Sequence, residues 1–235
     1  MVKLMNIALV TGASRGIGRE VARQLSGRAT VLATARDPRQ AEQPGVHTLR
    51  LDVTDEASIR AAAKVVQERY GRLDVLVNNA GISLERGLDP TAVDADTVRR
   101  VFETNVFGVV AVTHAFLALL RRSPAARIVN VSSATGSLGE WSDPQSPVAQ
   151  FAPLVLSYNA SKSAVNMVTV AYARALRDEG VKVNAASPGY VATDLNGHRG
   201  FRTVAEGAAV IVTLATLDAD GPTGGFFNDE GPIRW

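Results

Sequence analysis

Tyr158 and Lys162 stand four residues apart in Tyr158-Asn159-Ala160-Ser161-Lys162, and an apolar run free of Pro and Gly, 163–176, follows directly. On a helix, residues four apart share one face, with Cβ atoms about 5–6 Å apart. A phenol and an ammonium would then meet in one small volume. An unperturbed phenol titrates near about 10, and a fixed positive charge beside it favours the phenolate. The pair therefore has the makings of an acid/base tuned toward neutral pH. The same spacing also describes a half-buried ring next to a solvated amine, so the rest of the chain must decide.

A short apolar strand, 6–10, ends in Thr11-Gly12-Ala13-Ser14-Arg15-Gly16-Ile17-Gly18, and a helix, 19–25, follows. Strand, glycine-rich turn and helix is the context of a dinucleotide site. Glycines permit a tight turn and close backbone approach, and the helix N-terminus receives a pyrophosphate. The spacing is G-x-x-x-G-x-G rather than the commoner G-x-G-x-x-G. Gly12, Ser14, Arg15, Gly16, Ile17 and Gly18 are the candidate cofactor residues of this turn.

The second strand, 30–35, ends at Arg36-Asp37. At that corner an acidic residue suits a free ribose 2′-hydroxyl and an arginine suits a 2′-phosphate. Arg36, with Arg15 as a second guanidinium, favours NADP(H) over NAD(H); Asp37 keeps NAD(H) open. Pro38 and Pro44 leave room only for a loop or a single turn before the third strand, 46–51. Asp52 and Val53 close that strand, where the carboxylate is placed to accept from an adenine amino group. Thr54 or Asp55 next door would cap the helix 56–69. After the fourth strand, 73–77, Asn79, Ala80 and Gly81 offer small residues on which a flat cofactor can lie. Pro188 and Gly189, which stop the sixth strand, complete the cofactor candidates drawn from strand ends.

Further helices are expected at 91–102, 106–120 and 204–217, and further strands at 127–131, 181–187 and 224–228. Strands alternate with helices, so the expected class is α/β: one Rossmann domain, 1–235, whose doubly wound, mostly parallel seven-stranded sheet carries helices on both faces. The run 106–120 is apolar almost all round and is expected to be buried on every face, by the sheet on one side and a partner subunit on the other. His114 within it is expected as an interface or core polar group. Three prolines make 134–157 a loop, and 196–202 reads as a short mobile piece.

Composition bounds the partners. The chain is 46% hydrophobic and 20% charged, with a net charge of +2 and no basic block, which argues against nucleic acid. There is no cysteine, so disulfides and thiolate metal sites are excluded. Nothing beside His47 or His198 points to a metal. Met1 to Met5 runs into a strand without the layout of a signal peptide, and no apolar run approaches the ~20 residues that span a bilayer. A cytoplasmic protein that binds no membrane is expected.

Seven segments, TGASRGIG (11–18), LDV (51–53), NNAG (78–81), TNVFG (104–108), NVSS (130–133), YNASK (158–162) and SPGYVATD (187–194), together resemble the short-chain dehydrogenase/reductase family. The resemblance runs from Asn6 to Trp235 and implies roles. Tyr158 would exchange a proton with the substrate oxygen. Lys162 would lower the Tyr158 pKa and hold the nicotinamide ribose. Ser133, chosen over Ser132 because it directly precedes Ala134-Thr135-Gly136, would hold the carbonyl oxygen. Asn105 would keep a water that refills the proton through Lys162, and Val191 and Thr193 would bind the nicotinamide carboxamide.

Tyr158 follows Ser133 by 25 positions, a longer separation than is common in the family. That insertion, the ending 220–227 and Thr34-Ala35-Arg36 look like the carbonyl reductase branch. The helix missing after Arg36 leaves the adenosine side less enclosed. The short region after Asp194 implies an open pocket, which Trp141 and Phe151 would line if the insertion folds inward. The expected activity is NADP(H)-dependent reduction of a small-molecule ketone or aldehyde to an alcohol. An NAD-dependent alcohol or hydroxysteroid dehydrogenase is the alternative, and a non-catalytic dinucleotide sensor a third reading. The expected assembly is a homodimer or homotetramer through 106–120 and 163–176, with a monomer as the other outcome.

Overall fold

A computed structural model describes residues 6–85 and 89–235, so the expectation for Met1 to Met5 lies outside the described residues. Along the chain come β1 (Asn6–Val10), α1 (Gly16–Leu25), β2 (Ala29–Ala35), β3 (Val46–Arg50), α2 (Glu56–Tyr70), β4 (Val75–Asn78), α3 (Ala95–Phe102) and α4 (Gly108–Leu120). The second half contains β5 (Arg127–Val131), α5 (Leu138–Ser142), α6 (Pro147–Phe151), α7 (Leu156–Ala175), β6 (Lys182–Ala186), α8 (Val204–Ala215), β7 (Phe226–Asn228) and β8 (Gly231–Pro232). The sheet order is β3-β2-β1-β4-β5-β6-β7-β8. All neighbours are parallel except β7 and β8.

Helices cover both faces, so successive strand residues are buried on opposite sides. Ala8 and Val10 of β1 pack in the cluster that includes Val21 and Leu25 of α1 and Ile211 of α8. Ile7 and Leu9 pack in the other, with Ile59 and Val66 of α2 and Phe116 of α4. Each fully buried Leu or Ile in these layers contributes about 1.5–3 kcal/mol relative to exposure. This is why the strands read as unbroken apolar runs rather than alternating ones.

Several expectations change. The sheet has eight strands, not seven, because Phe227 and Asn228 pair with Pro232 and Gly231 across an antiparallel turn. Two residues, one of them a proline, give no strand signal in sequence. Second, 134–157 is not a plain loop. Ser137 caps α5 by accepting from Glu140 N (3.0 Å), and Ser146 caps α6 by accepting from Val148 N (3.1 Å), with Pro147 in its first turn. Proline there is compatible with helix, since its missing N–H would have been unpaired anyway.

Third, the piece 196–202 is fastened down. Ala192 N donates to Arg202 O (2.9 Å), Arg202 N to Tyr190 O (3.1 Å), and the Arg202 guanidinium to both Asp229 carboxylate oxygens (2.7 Å each). Fourth, the two helices expected on either side of Asn105 are one stretch, Ala95–Leu120, joined by a π-helical turn at Glu103–Phe107. By length and composition that stretch is apolar enough to cross a bilayer, which corrects the expectation drawn from sequence runs. Here it packs on the sheet, with Val112, Phe116 and Leu120 in the core.

Nor is α4 buried all round. Phe107 (56%) and Val110 lie exposed, and so does His114, in a stripe at i, i+3 and i+7. The crossover from β2 to β3 is the single turn expected, a 3-10 turn at Pro38–Ala41.

Candidate functional site

The carboxyl ends of β1, β4, β5 and β6 bring the sequence candidates to one edge of the sheet. Twenty residues of α7 without Pro or Gly make a long helix that begins at Leu156, so Tyr158 sits in its first turn. One turn on, Lys162 is 4% exposed; its Nζ lies 5.4 Å from the Tyr158 ring centroid and donates to Val131 O at the end of β5 (2.7 Å). The Ser133 hydroxyl lies beside the phenol, close enough to pull its pKa down. Ser133 also shares a hydrogen bond with Thr135 Oγ1 (2.9 Å).

The two serines after β5 part company. Ser132 is buried and donates to Asn166 Oδ1 (2.6 Å) on α7, whereas Ser133 is half-buried beside the phenol. Behind them the turn at Gly136 lies directly on α7. A Cβ added to Gly136 would come within 2.6 Å of both the Lys162 carbonyl carbon and its Cβ. Ser163 Oγ closes the same seam by donating to Gly136 O (2.8 Å).

Burial sets the electrostatics. It pushes the Tyr158 phenol up to about 12, against the opposing pull of the Ser133 hydroxyl. Burial also brings the Lys162 ammonium down to about 8. The expectation of a phenol lowered by Lys162 is thus reversed in the free protein. Leaving water disfavours the phenolate, and Ser133 opposes that only in part.

Asn105 occupies the π-helical turn. Its Oδ1 accepts from Ile82 N (2.8 Å) and its Nδ2 donates to Ile82 O (3.0 Å) and Ser161 Oγ (3.0 Å). A Cβ at Gly81 would lie 3.5 Å from Asn105 Oδ1 and 3.7 Å from Lys162 Nζ, so both groups border one small polar space.

The cofactor candidates form a second, adjoining group. Gly12 (φ 64°) and Gly16 (φ 55°) adopt the left-handed region that L side chains rarely enter. Thr11 Oγ1 accepts from Asn79 N (2.9 Å) and Ala80 N (3.0 Å), and Asn79 Nδ2 donates to Thr11 O (2.9 Å). The Asn79 side chain therefore holds the glycine turn in place. Gly18 packs against it so closely that a Cβ would collide with Asn79. Ser14 and Ile17 lie part-buried in the turn. Arg15, at the N-cap of α1, makes no side-chain cap, so the helix N-terminus keeps its amides for an anion.

Thr193 faces this turn from across the cleft, 3.5 Å from where a Cβ on Gly16 would stand. Val191 is buried, and Pro188 and Gly189 (φ 79°) shape the loop that carries both. Arg36 is exposed at the end of β2, and Arg15 pairs with Asp194 (3.1 Å). Asp52 accepts from Thr54 N (3.0 Å) and Thr54 Oγ1 (2.8 Å), with Val53 next to it; Asp55 is the N-cap of α2. Left-handed glycines, open amides, small Ala80 and Gly81 and two arginines fit a dinucleotide phosphate.

The profile of the short chain dehydrogenase family matches residues 6–201. The chain belongs to this family. A short-chain dehydrogenase of Penicillium roqueforti, anuI, is 40% identical over 224 residues, covering 89% of this chain and 88% of that protein. The NADPH carbonyl reductase 1 of Bos taurus is 33% identical over 278 residues, covering 97% and 98%. Among solved structures, NADPH-bound carbonyl reductase from chicken fatty liver matches with a TM-score of 0.85 and 31% identity over 100% of each chain.

Some features of this short-chain dehydrogenase are not visible in its sequence pattern. Asp37 is engaged by Arg39, whose Nε and Nη2 donate to its two oxygens (3.0 and 2.9 Å), and it caps the turn that follows. The insertion is held by the chain's last residues. Gly139 N donates to Trp235 O (2.8 Å), Arg234 pairs with Glu140 and Asp143, and the Trp235 ring stacks on Phe226. Trp141 donates its indole N–H to Thr135 O (2.8 Å) beside Ser133, while Phe151 stays exposed. Only one of the two aromatics expected at the pocket thus turns inward. Buried Glu85 carries no motif, yet it reaches the start of α7.

Gly136→Ala tests the seam between the Ser133 turn and α7. The added methyl must lift the turn off the helix, at a cost of about 1–3 kcal/mol. Urea melts should register that loss, and kcat/KM should fall further than the folded fraction does.

Proposed function

We propose that this chain is an NADP(H)-dependent reductase that converts a ketone or aldehyde to an alcohol, with Tyr158 as the proton donor. The observation that carries the reading is the meeting of Ser133, Tyr158 and Lys162 beside the glycine turn. NADPH, when bound, supplies the hydride. Everything else falls to the protein. Ser133 donates a hydrogen bond to the substrate oxygen and steadies the negative charge that develops there. Tyr158 gives its proton to that oxygen. A phenol pushed up to about 12 keeps its proton at neutral pH, which is the form a reduction requires.

Lys162 offsets the charge left on the phenol oxygen. Asn105 holds Ile82 and Ser161 and keeps open the polar space through which water can return the proton. Val191 and Thr193, on the loop set by Pro188 and Gly189, are the proposed contacts for the carboxamide. Asp52 and Val53 are assigned to the adenine, and Ala80 and Gly81 to the flat face of the cofactor.

The choice of NADP(H) is supported by the relatives named above and by the second corner. Asp37, the group that kept NAD(H) open, is spent on Arg39, while exposed Arg36 makes no ion pair among the described residues. Assembly as a homodimer or homotetramer is part of the same reading. Phe107 at the end of the π-helical turn, Val110 on α4 and Met167 on α7 leave apolar surface exposed.

Three measurements test the reading. Titration of the protein with NADPH and NADH should favour NADPH by ten-fold or more, about 1.4 kcal/mol, and Arg36→Ala should erase most of that difference. A preference for NADH would replace the reductase with an oxidising dehydrogenase. Tyr158→Phe should lower turnover of an aromatic ketone by roughly 10²–10⁴-fold, with NADPH affinity unchanged. In the pH profile of kcat/KM, activity should decline as pH rises through about 8, where free Lys162 loses its proton. A rate held flat to pH 10 would remove the Lys162 charge from the mechanism.

A further inference from the structure

The start of α7 lacks a side-chain cap of its own, because the N-cap residue is Val155. Its orphan amide is met from far away. Glu85, only 2% exposed, accepts the Ser157 N–H on both carboxylate oxygens (2.9 and 3.0 Å). Ser157 immediately precedes Tyr158. The bond is fully buried, and a carboxylate at a helix N-terminus is also favoured by the aligned peptide dipoles. Three residues before Glu85, Ile82 is gripped through both its N–H and its C=O by Asn105. The segment leaving β4 therefore runs as a strap. It carries Ala80 and Gly81, is pinned to the π-helical turn at Ile82, and ends on the first turn of α7.

We propose that Glu85 is a positioning residue for Tyr158: it fixes the height and direction of the first turn of α7, so that the phenol stays within reach of Ser133 and of a substrate oxygen. The inference rests on the assignment of Tyr158 as proton donor. Displacing a reacting group by about 1 Å can lower a rate roughly 10²-fold, and the Glu85 carboxylate holds the amide immediately before Tyr158. Ser157 Oγ is itself buried without a partner, so the side chain adds no second anchor.

Four forms of the full-length protein decide the matter: wild type, Glu85→Gln, Glu85→Asp and Tyr158→Phe. Glu85→Gln retains an acceptor at the same reach, whereas Glu85→Asp retains the charge and withdraws the oxygens by one methylene. We expect Glu85→Asp to lose about ten-fold or more in kcat for ketone reduction, with NADPH affinity within two-fold of wild type. Glu85→Gln should stay within about three-fold of wild type in both. A purely structural role would instead lower the folded fraction, leaving the kcat of the folded molecules unchanged. Wild-type kcat in Glu85→Asp, alongside an inactive Tyr158→Phe, overturns the positioning role alone. An active Tyr158→Phe overturns the assignment of Tyr158 and the inference with it.

Discussion

A lysine taken out of water must have its protons met, and the burial of Lys162 is the constraint around which this molecule is arranged. An unmatched ammonium in a protein interior costs several kcal/mol. Here one proton goes to the last carbonyl of β5, so the helix that carries Lys162 must lie against that strand end at fixed distance. Gly136 is what permits the approach, since any side chain there would meet Lys162 itself. A buried polar ladder secures the same contact lower down: Asn78 donates to Asn130 and Thr113, Asn130 donates to Thr169 on α7, and Ser132 donates to Asn166. With α7 fixed on β5, Tyr158 has one place to be.

That arrangement divides the work between the two strand-end serines. Ser132 fastens the strand to the helix, and Ser133 is left facing Tyr158. The same division recurs at Asn79 and Asn105, whose side chains hold backbone. Side chains that motif reading assigns to ligands thus serve the frame first. The electrostatics follow from the tightness of the frame. A site dry enough to hold Lys162 near about 8 is also dry enough to keep the Tyr158 phenol protonated.

Much of this was legible beforehand, for particular reasons. Buried parallel strands leave unbroken apolar runs, and glycines at the end of one such run announce the turn at 11–18. A pair spaced by four residues on a Pro-free helix must share a face, and Tyr158 and Lys162 do. Legibility failed where the partner is distant or the signal is one residue long. Glu85 meets a backbone amide 72 residues away, and a backbone amide leaves no trace in a side-chain pattern. The pairing of Asp37 with Arg39 is local, but one exposed arginine among several gives no hint of its choice. Prolines in 134–157 were read as breakers, although Pro147 sits in the first turn of α6, where a helix tolerates it. The direction of the Tyr158 shift was missed because spacing reports proximity and not dryness.

The π-helical turn at Glu103–Phe107 has a consequence for how the chain tolerates change in length. Such a turn holds one residue more than an α-helical turn and forms weaker backbone bonds. Removing a single residue there would let Ala95–Leu120 wind as an unbroken α-helix, a more regular object by the standards of helix propensity. It would also rotate Asn105 by about a quarter turn, about 100°, away from Ile82, and the strap that carries Ala80 and Gly81 would lose its clasp. The surplus residue is therefore not slack. It is a miscount that the fold keeps because the regular count points the amide in the wrong direction.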